Sequence, residues 1–251
     1  MCTNCGCNGG KQYTVQGDGF SVDHTPPGET VIVDVHRALL FDNDQQAARN
    51  RQRLTEHNIT AINLMSSPGS GKTTLLERTI DELLTRYRIA VIEGDLETEN
   101  DARRIRAKGV EAVQITTGNA CHLDAVMVGS ALQQLDLKLI DLLFIENVGN
   151  LVCPASFDLG QHRNVTLLST TEGDDKPEKY PLIFRASDLL LISKIDLLPL
   201  LDEFDLQCAA DSFASVAADT PLLQLSAKRG DGVTQWLAWL NDTHQQLQRS
   251  S

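Results

Sequence analysis

Residues 66–73, with the sequence SSPGSGKT, constrain the fold of this chain more than any other segment. They lie between an apolar run at residues 59–65 and a helical pattern that begins at Gly71. The Gly-Lys-Thr ending matches a phosphate-binding loop, in which backbone N–H groups at a helix N-terminus surround the phosphates of a nucleotide. Ser66 stands where that pattern expects its first glycine, and an ordinary glycine-rich turn is the alternative. The segment predicts a strand–loop–helix unit of an α/β fold.

Short apolar runs and helical patterns alternate along the rest of the chain. Such continuous runs are typical of parallel strands that are buried on both faces. Strands are predicted at residues 59–65, 88–93, 112–116, 142–146, 165–170, 189–193 and 222–225, and helices at 71–86, 97–108 and 233–247. We expect one α/β domain of the P-loop NTPase type, with a mostly parallel central sheet flanked by helices. It comprises residues 58–251, preceded by a flexible tail (1–30) and a helical extension (31–57).

Side chains at the expected strand ends are predicted to handle phosphates and their magnesium ion. Lys72 would reach the β and γ phosphates, and the Thr73 hydroxyl would bind Mg²⁺. Glu146 ends a strand, and Gly149 follows three residues later, so this acid can sense the metal and the γ-phosphate together. Asp95 is a second candidate for Mg²⁺, with an ordinary capping acid as the alternative. The predicted phosphate-contacting residues are Gly69, Ser70, Gly71, Lys72, Thr73, Thr74 and Gly149, and the predicted catalytic residues are Lys72, Thr73, Asp95 and Glu146.

Two later segments favour guanine as the base. Residues 193–196, Ser-Lys-Ile-Asp, resemble the Asn-Lys-x-Asp motif of guanine recognition, with serine in place of asparagine. The Asp196 carboxylate can accept hydrogen bonds from the ring N–H and the amino group of guanine, which adenine does not offer. The Lys194 stem would pack along the base. Ser226 and Ala227 resemble the Ser-Ala-Lys loop that backs the base, and the order of these segments favours GTP over ATP.

Three further residues near the predicted nucleotide site can bind a transition metal. Cys121 and His122 are adjacent at the expected start of a helix, and Cys153 lies four residues after Gly149. Two thiolates and an imidazole suit Zn²⁺ or Ni²⁺, and two chains could share ligands there. Small buried cysteines are the alternative, but the position of Cys153 favours a metal site that responds to nucleotide. His162 is a candidate additional ligand, although a lone histidine is more often structural.

The first seven residues contain a second group of thiols. Cys2, Cys5 and Cys7, with the terminal amine, suit square-planar Ni²⁺ or tetrahedral Zn²⁺. An iron–sulfur cluster normally requires a fourth cysteine, and redox chemistry at Cys-x-x-Cys requires a thioredoxin-like context. Cys208 falls in a predicted helix and is assigned to the core. The tail is interpreted as a site of metal capture.

The charge and hydropathy of the sequence argue against several partners. A formal net charge of -12 argues against nucleic acid, because neutralising phosphates requires clustered Lys and Arg. No apolar run approaches the roughly 20 residues that cross a bilayer, so no membrane insertion is expected. Residues 1–11 lack the basic and apolar regions of a signal peptide. We therefore expect a cytoplasmic protein whose thiols stay reduced.

Taken together, these residues resemble the HypB family of GTPases, which help to insert nickel into nickel–iron hydrogenases. The resemblance covers nearly the whole chain. It is carried by the tail cysteines, the phosphate loop, Cys121-His122, and the segments at 93–95 (EGD), 144–154 (FIENVGNLVCP) and 171–177 (TEGDDKP). It implies a SIMIBI-type GTPase with GTP or GDP, Mg²⁺, tight nickel binding by the tail, and nickel or zinc at the second cluster. It also implies a GTP-dependent homodimer in which Lys176 contacts nucleotide across the interface and Leu197 and Leu201 belong to that interface.

Two absences refine this interpretation. The first 56 residues contain only His24 and His36, so the His-rich stretch of many family members is missing and bulk nickel storage is not expected. Residues 153–155 are Cys-Pro-Ala, whereas the related urease nickel GTPase carries Cys-Pro-His, and this favours hydrogenase.

The function predicted from the sequence is a slow, metal-regulated GTPase that delivers Ni²⁺. Delivery to a hydrogenase large-subunit precursor would involve a hydrogenase accessory protein. Slow turnover is expected because no water-positioning glutamine or arginine finger is evident. The alternatives are a nickel or zinc storage protein with a vestigial nucleotide site, and a P-loop kinase for a small molecule, against which Asp196 argues.

Overall fold

The computed structural model describes residues 29–95, 100–118 and 120–250. Its strands are β1 (Thr60–Ser66), β2 (Ile89–Asp95), β3 (Glu111–Thr116), β4 (Leu142–Glu146), β5 (Arg163–Ser169), β6 (Leu189–Ser193) and β7 (Leu222–Gln224). They form one seven-stranded sheet in the order β3-β2-β4-β1-β5-β6-β7. Every neighbouring pair is parallel, which confirms the predicted sheet.

Helices lie on both faces of this sheet. They are α1 (Glu29–Glu56), α2 (Lys72–Leu83), α3 (Asn100–Ala107), α4 (Ala125–Leu132), α5 (Lys176–Lys179), α6 (Pro181–Arg185), α7 (Leu206–Val216) and α8 (Val233–Ser250). The helix predicted from residue 71 ends at Leu83 rather than at residue 86. In the described part of the chain no helix is both long and apolar enough to span a bilayer.

Alternate residues of the central strands supply two separate layers of core. Ile62 and Phe144 pack with Trp236 of α8 in one apolar cluster, which also contains the buried side chains of α2. Ala61 and Leu143 belong to the other cluster, with residues of α1 and α4. Because successive strand residues face opposite sides, a strand covered by helices on both faces is apolar at most of its positions. This explains the unbroken apolar runs in the sequence.

The C-terminal half of α1 is anchored to the sheet domain by polar contacts. Asn50 is buried and donates from Nδ2 to the carbonyl oxygens of Ala125 (2.8 Å) and Leu159 (3.0 Å). Arg51 donates to both carboxylate oxygens of Asp158 at 2.7 Å. The helix predicted as an extension therefore packs on α4 and on the segment before β5.

The strand order determines where a ligand can bind. β1 lies between β4 and β5, so its carboxyl end has parallel neighbours on both sides. In open parallel sheets, ligands bind in the crevice outside the carboxyl ends of the strands, near the point where the strand order reverses. In the register of the sheet, Glu93 of β2 lies beside Glu146 of β4, and Leu64 of β1 lies on the other side of Glu146. The predicted phosphate loop follows β1 at this same edge.

Candidate functional site

The loop between β1 and α2 has the geometry of a phosphate cradle. Gly69 and Gly71 adopt positive φ angles of 75° and 97°, which favour glycine because it has no Cβ. Lys72 is buried, and its Nζ donates to Ser66 Oγ over 2.9 Å. Burial lowers the pKa of Lys72, and the nearby Glu146 carboxylate opposes that shift. The serine that departs from the glycine of the usual pattern therefore provides the hydrogen-bond partner of this lysine.

Two buried carboxyl groups face the start of α2. Thr73 Oγ1 donates to Glu146 Oε1 over 2.8 Å. Oε2 of Glu146 and Oε2 of Glu93 are both buried, and neither has a hydrogen-bond partner among the described residues. Burial raises the pKa of Glu93 to about 8, with the Glu146 charge as the next cause, and burial raises the pKa of Glu146 to about 7 although Lys72 opposes it. The hydroxyl of Thr73 and these carboxylate oxygens are hard ligands that fit Mg²⁺.

The site contains more acidic residues than the sequence predicted. One carboxylate oxygen from each of Glu93, Asp95 and Asp101 lies within 4.8 Å of the other two. Asp95 is the last residue of β2, so it reaches the cleft as expected. Glu93 and Asp101 were not predicted as site residues, although the motif at residues 93–95 pointed to this strand end. Their convergence offers hard oxygen ligands to a divalent cation.

These groups line a cleft of about 500 Å³ at the carboxyl ends of the strands. Its lining comprises Pro68, Gly69, Gly71, Lys72, Thr73, Thr74, Glu93, Gly94, Asp95, Asp101, Arg104, Glu146, Asn147, Val148, Gly149 and Lys194. A Cβ added to Gly149 would lie 2.8 Å from Pro68 Cα, so the segment after β4 packs directly against the phosphate loop.

Glu172 is a second residue that the sequence did not indicate as part of the site. Its Oε2 accepts from Ser67 Oγ (2.5 Å) and its Oε1 from Ser70 Oγ (2.7 Å). It also accepts a hydrogen bond from the backbone N–H of Ser169 at the end of β5. The carboxylate therefore ties the phosphate loop to β5. Its only sequence signal was its place in the segment at 171–177.

A second cavity of about 310 Å³ adjoins the phosphate cleft and has the size and lining of a base pocket. It is lined by Ser70, Gly71, Thr74, Leu75, Ser193, Lys194, Asp196, Leu197, Leu225, Ser226, Ala227 and Lys228. Lys194 Nζ donates to the Gly69 carbonyl at 2.7 Å, and Ser193 Oγ donates to the Ser70 carbonyl at 2.7 Å. The serine that replaces asparagine in the guanine motif thus links that motif to the phosphate loop.

The three predicted metal ligands converge on one side of the cleft. One ligand atom from each of Cys121, His122 and Cys153 lies within 4.8 Å of the other two. The two Sγ atoms are 3.0 Å apart, longer than a disulfide bond of about 2.05 Å. Cys121 and His122 lie in the loop before α4, which begins at Ala125, so the expectation that they start a helix was wrong.

The environment of His122 favours metal binding over protonation. The ring is buried, and its Nδ1 has no hydrogen-bond partner in the described structure. Burial lowers the pKa of His122, and the Asp124 charge opposes that shift. The ring stacks on Phe157 with 4.0 Å between centroids. A neutral, oriented imidazole is the form that binds Zn²⁺ or Ni²⁺.

Several predicted residues lie elsewhere. His162 Nδ1 accepts from the Ala61 N–H at 3.0 Å, so the structural role applies and the role of additional ligand was wrong. Cys208 is exposed on α7, because its side chain lies on the outer face of that helix, so its assignment to the core was wrong. Lys176, among the described residues, stands outside the lining of both cavities, with its Nζ 5.2 Å from the Tyr180 ring centroid. Cys2, Cys5 and Cys7 lie outside the described residues.

The raised pKa values predict an unusual pH dependence of stability. In the folded, metal-free protein Glu93 and Glu146 retain protons up to pH of about 8 and about 7, whereas an unfolded glutamate releases its proton near pH 4.5. The native state therefore binds more protons between these limits, and its stability falls as the pH rises from 5 to 8. We expect a decrease in Tm of several degrees, at about 2–4 °C for each kcal/mol.

Thermal unfolding in chelator without nucleotide measures this effect. Glu93→Gln should flatten the decline, since an amide carries no charge at any pH. The control Glu178→Gln changes an exposed acid on α5 and should leave the slope unchanged. A slope identical in wild type and Glu93→Gln would show that burial of this carboxyl group does not govern the pH dependence.

Comparison with known proteins places this geometry in a family. Residues 60–221 match the family described as CobW/HypB/UreG, nucleotide-binding domain. A hydrogenase maturation factor HypB from Azotobacter chroococcum is 52% identical over 226 residues, covering 89% of this chain and 73% of that relative. The HypB of Escherichia coli K12 is 41% identical over 286 residues, covering 96% of this chain and 98% of that relative.

A solved structure agrees with these sequence comparisons. HypB from Helicobacter pylori in complex with nickel superposes with a TM-score of 0.78 and 41% identity, covering 82% of this chain and 96% of that chain. The sheet order, the phosphate loop and the matched region together identify a P-loop nucleotide-binding fold. The chain therefore belongs to the HypB family.

Proposed function

We propose that this chain is a GTPase that carries Ni²⁺ for the maturation of nickel–iron hydrogenase. The observation that carries the proposal is the segment between Glu146 and Cys153. Its first residue accepts a hydrogen bond from Thr73 in the phosphate cleft, and its last belongs to the thiol–imidazole cluster. One short stretch of chain therefore connects nucleotide chemistry with a transition-metal site. The HypB relatives, described as hydrogenase maturation factors, support nickel as the cargo and hydrogenase as its destination.

The reaction is GTP + H₂O to GDP + phosphate. The backbone of the loop at 69–73 holds the β and γ phosphates, and Lys72 places its ammonium against them. Thr73 and Glu146 would hold Mg²⁺, and Glu93 and Asp95 would add negative charge beside it. When bound, Mg²⁺ neutralises negative charge that develops on the phosphate oxygens. Positioning and charge stabilisation supply the catalysis, so turnover is slow without a supplied arginine or glutamine.

The bound nucleotide controls the metal site through residues 146–153, the segment that joins the two sites. With GTP bound, the γ-phosphate fixes Gly149 against the phosphate loop, and Cys153 is held beside Cys121 and His122. Hydrolysis removes that contact, so Cys153 can move and the affinity for Ni²⁺ changes. Zn²⁺ can occupy the same ligands. The tail thiols Cys2, Cys5 and Cys7 serve as a capture site that supplies this cluster.

Assembly completes the cycle in the cytoplasm. Two chains associate when GTP is bound, with Lys176 reaching the partner's nucleotide and Leu197 and Leu201 in the interface. An accessory protein and the hydrogenase large-subunit precursor then receive the metal. Sedimentation in the presence of a non-hydrolysable GTP analogue tests whether two chains associate in this way.

Nucleotide selectivity tests the guanine assignment. Asp196→Asn is expected to weaken GTP binding about 100-fold, because two hydrogen bonds from guanine to a charged acceptor are lost or reversed. ATP binding should be weak and nearly unchanged. The matched control Asp219→Asn alters an exposed acid on the loop before β7 and should bind GTP as wild type does. Equal losses for GTP and ATP, measured by competition with a fluorescent nucleotide, would place the base elsewhere.

A further inference from the structure

The loop that carries two of the metal ligands is held between two strand ends of the phosphate cleft. Leu123, the residue after His122, is fully buried. A Cβ added to Gly94 would lie 2.8 Å from the Leu123 side chain, so the loop packs directly against the end of β2. On the same side, the Thr117 N–H donates to the Asp95 carbonyl at 2.9 Å. The metal loop therefore has little freedom to move independently of the acidic strand end.

Asn147 fastens the opposite side of this loop to β4. It directly follows Glu146, and its buried Oδ1 accepts from the backbone N–H of Leu123 at 3.2 Å. Its Nδ2 donates to Asn63 Oδ1 at 3.3 Å, and its own N–H donates to the Leu64 carbonyl at 3.0 Å. Asn147 is thus fixed to β1 and acts as the stationary anchor of the arrangement.

Asn150 connects the two thiol-bearing segments to each other. Its Nδ2 donates to the carbonyl of Cys121 at 3.3 Å. Its Oδ1 accepts from the N–H of Val152, the residue before Cys153, at 2.8 Å. Asn150 also follows Gly149, which packs against Pro68 of the phosphate loop. A shift of Gly149 with the γ-phosphate would therefore be transmitted through one side chain to both cysteines.

We propose that Asn150 is the positioning residue that couples the bound nucleotide to nickel affinity, with Asn147 as its fixed anchor. This inference rests on the proposed function, since it names the residue through which that function's switch acts. The amide is suited to the task because it donates to one segment and accepts from the other, and no other side chain of similar length offers both. Asn150 does not ligate the metal, so its loss alters the coupling more than the ligand set.

The test is a comparison of nickel affinities in two nucleotide states. The full chain carries serine at Cys2, Cys5 and Cys7, so that only the cluster at 121, 122 and 153 is titrated. The dissociation constant for Ni²⁺ is measured by competition with a chromogenic chelator, with GDP and with a non-hydrolysable GTP analogue, and the ratio of the two constants is the readout. Asn150→Ser retains an acceptor for the Val152 N–H and lacks the reach to Cys121. Asn150→Asp retains the acceptor and loses the donor.

The expected ratio is at least about 5-fold in the parent chain, and within about twofold of one in both Asn150 variants. Phe157→Leu is the matched control, because it removes the stacking on His122 but leaves the asparagine hydrogen bonds. It should weaken nickel binding by a similar factor in both states and keep the ratio. Reciprocity requires nickel to change the ratio of GTP-analogue affinity to GDP affinity by the same factor, and this effect should also vanish in the Asn150 variants.

The outcomes separate the two levels of the proposal. If both Asn150 variants, folded by circular dichroism, keep the parent ratio, Asn150 does not transmit the nucleotide state and the inference is overturned alone. If the parent ratio is already one while GTP is still hydrolysed, the nucleotide switch of the proposed function fails, and the inference fails with it.

Discussion

Phosphate release from GTP is expected to fall at least about 100-fold when Lys72 is replaced by alanine, equivalent to about 2.7 kcal/mol of transition-state stabilisation. Lys72 is buried, its Nζ donates to Ser66 Oγ, and Glu146 is the negative charge that acts on it most strongly. The substitution therefore removes the fixed positive charge that stabilises the γ-phosphate oxygens as the bond breaks. The Lys72 charge is also the main influence that lowers the pKa of Glu146. Its loss therefore raises that pKa further, and the protonated carboxyl group binds Mg²⁺ more weakly.

The measurement is single-turnover GTP cleavage with protein in excess over GTP and with saturating Mg²⁺, stopped by acid quench, which isolates chemistry from product release. Lys179→Ala serves as the control, since this lysine on α5 is exposed and paired with Asp175. It should hydrolyse GTP at the wild-type rate. Unaltered hydrolysis in Lys72→Ala would mean that the loop after β1 is not the catalytic phosphate site, and would favour a storage protein with a vestigial nucleotide site.

Replacing Cys153 by alanine is expected to weaken nickel binding at the second cluster about 100-fold or more and to remove its dependence on nucleotide. Loss of a residue that hydrogen-bonds to a metal ligand commonly weakens metal binding about 10–100-fold, and loss of a thiolate that binds the metal directly weakens it more. The two sulfur atoms lie 3.0 Å apart and the buried His122 ring has an unpartnered Nδ1, so the cluster is preformed. In the proposed switch, Cys153 is the ligand on the segment 146–153 that responds to nucleotide, so its loss should remove the nucleotide effect.

Nickel titration of the chain with serine at the three tail cysteines isolates this loss. Cys208→Ala is the matched control, because Cys208 is exposed on α7 away from the cluster. Its nickel stoichiometry and affinity should equal those of the parent chain. If Cys153→Ala retained full, nucleotide-dependent nickel binding, Cys121 and His122 would have to use another partner, and the link through residues 146–153 would be lost.

The fold was largely readable from the sequence because its strands are buried on both faces. The apolar runs that became β1, β4 and β6 have no polar alternation, and each occurs within two residues of its predicted ends. A strand buried under helices on both faces shows this pattern of a short apolar run without polar alternation. The C-terminal end of α2 was predicted less accurately, since helix termini depend on capping and tertiary contacts rather than on periodicity.

Site residues could be predicted where a short sequence motif specifies their chemistry. The residues predicted to bind phosphate, magnesium, guanine and metal in the described part of the chain lie around one edge of the sheet, apart from Lys176 and the candidate ligand His162. Glu93, Asp101 and Glu172 were missed because they reach the site through tertiary placement. Their roles follow from strand register and from contacts across about 100 residues of chain, such as Ser70 with Glu172 at a separation of 102.

The departures from the usual motifs were also explained only by the structure. Ser66 and Ser193 looked like weakened matches in the sequence. Each proved to bond the phosphate site, Ser66 to the Lys72 ammonium and Ser193 to the Ser70 carbonyl. At position 66 the hydroxyl adds a hydrogen bond that the glycine of the usual pattern could not make. Cys208 was wrongly assigned to the core because a single cysteine carries no information about its neighbours.

If nucleotide and nickel act on one shared segment, residues 146–153, the affinity of the second cluster for nickel must differ between the two nucleotide states. The dissociation constant of Ni²⁺ at the cluster of Cys121, His122 and Cys153 is determined for the chain with serine at Cys2, Cys5 and Cys7, once with GDP and once with a non-hydrolysable GTP analogue. We expect the two dissociation constants to differ at least about 5-fold. Equal constants in the two states would contradict it.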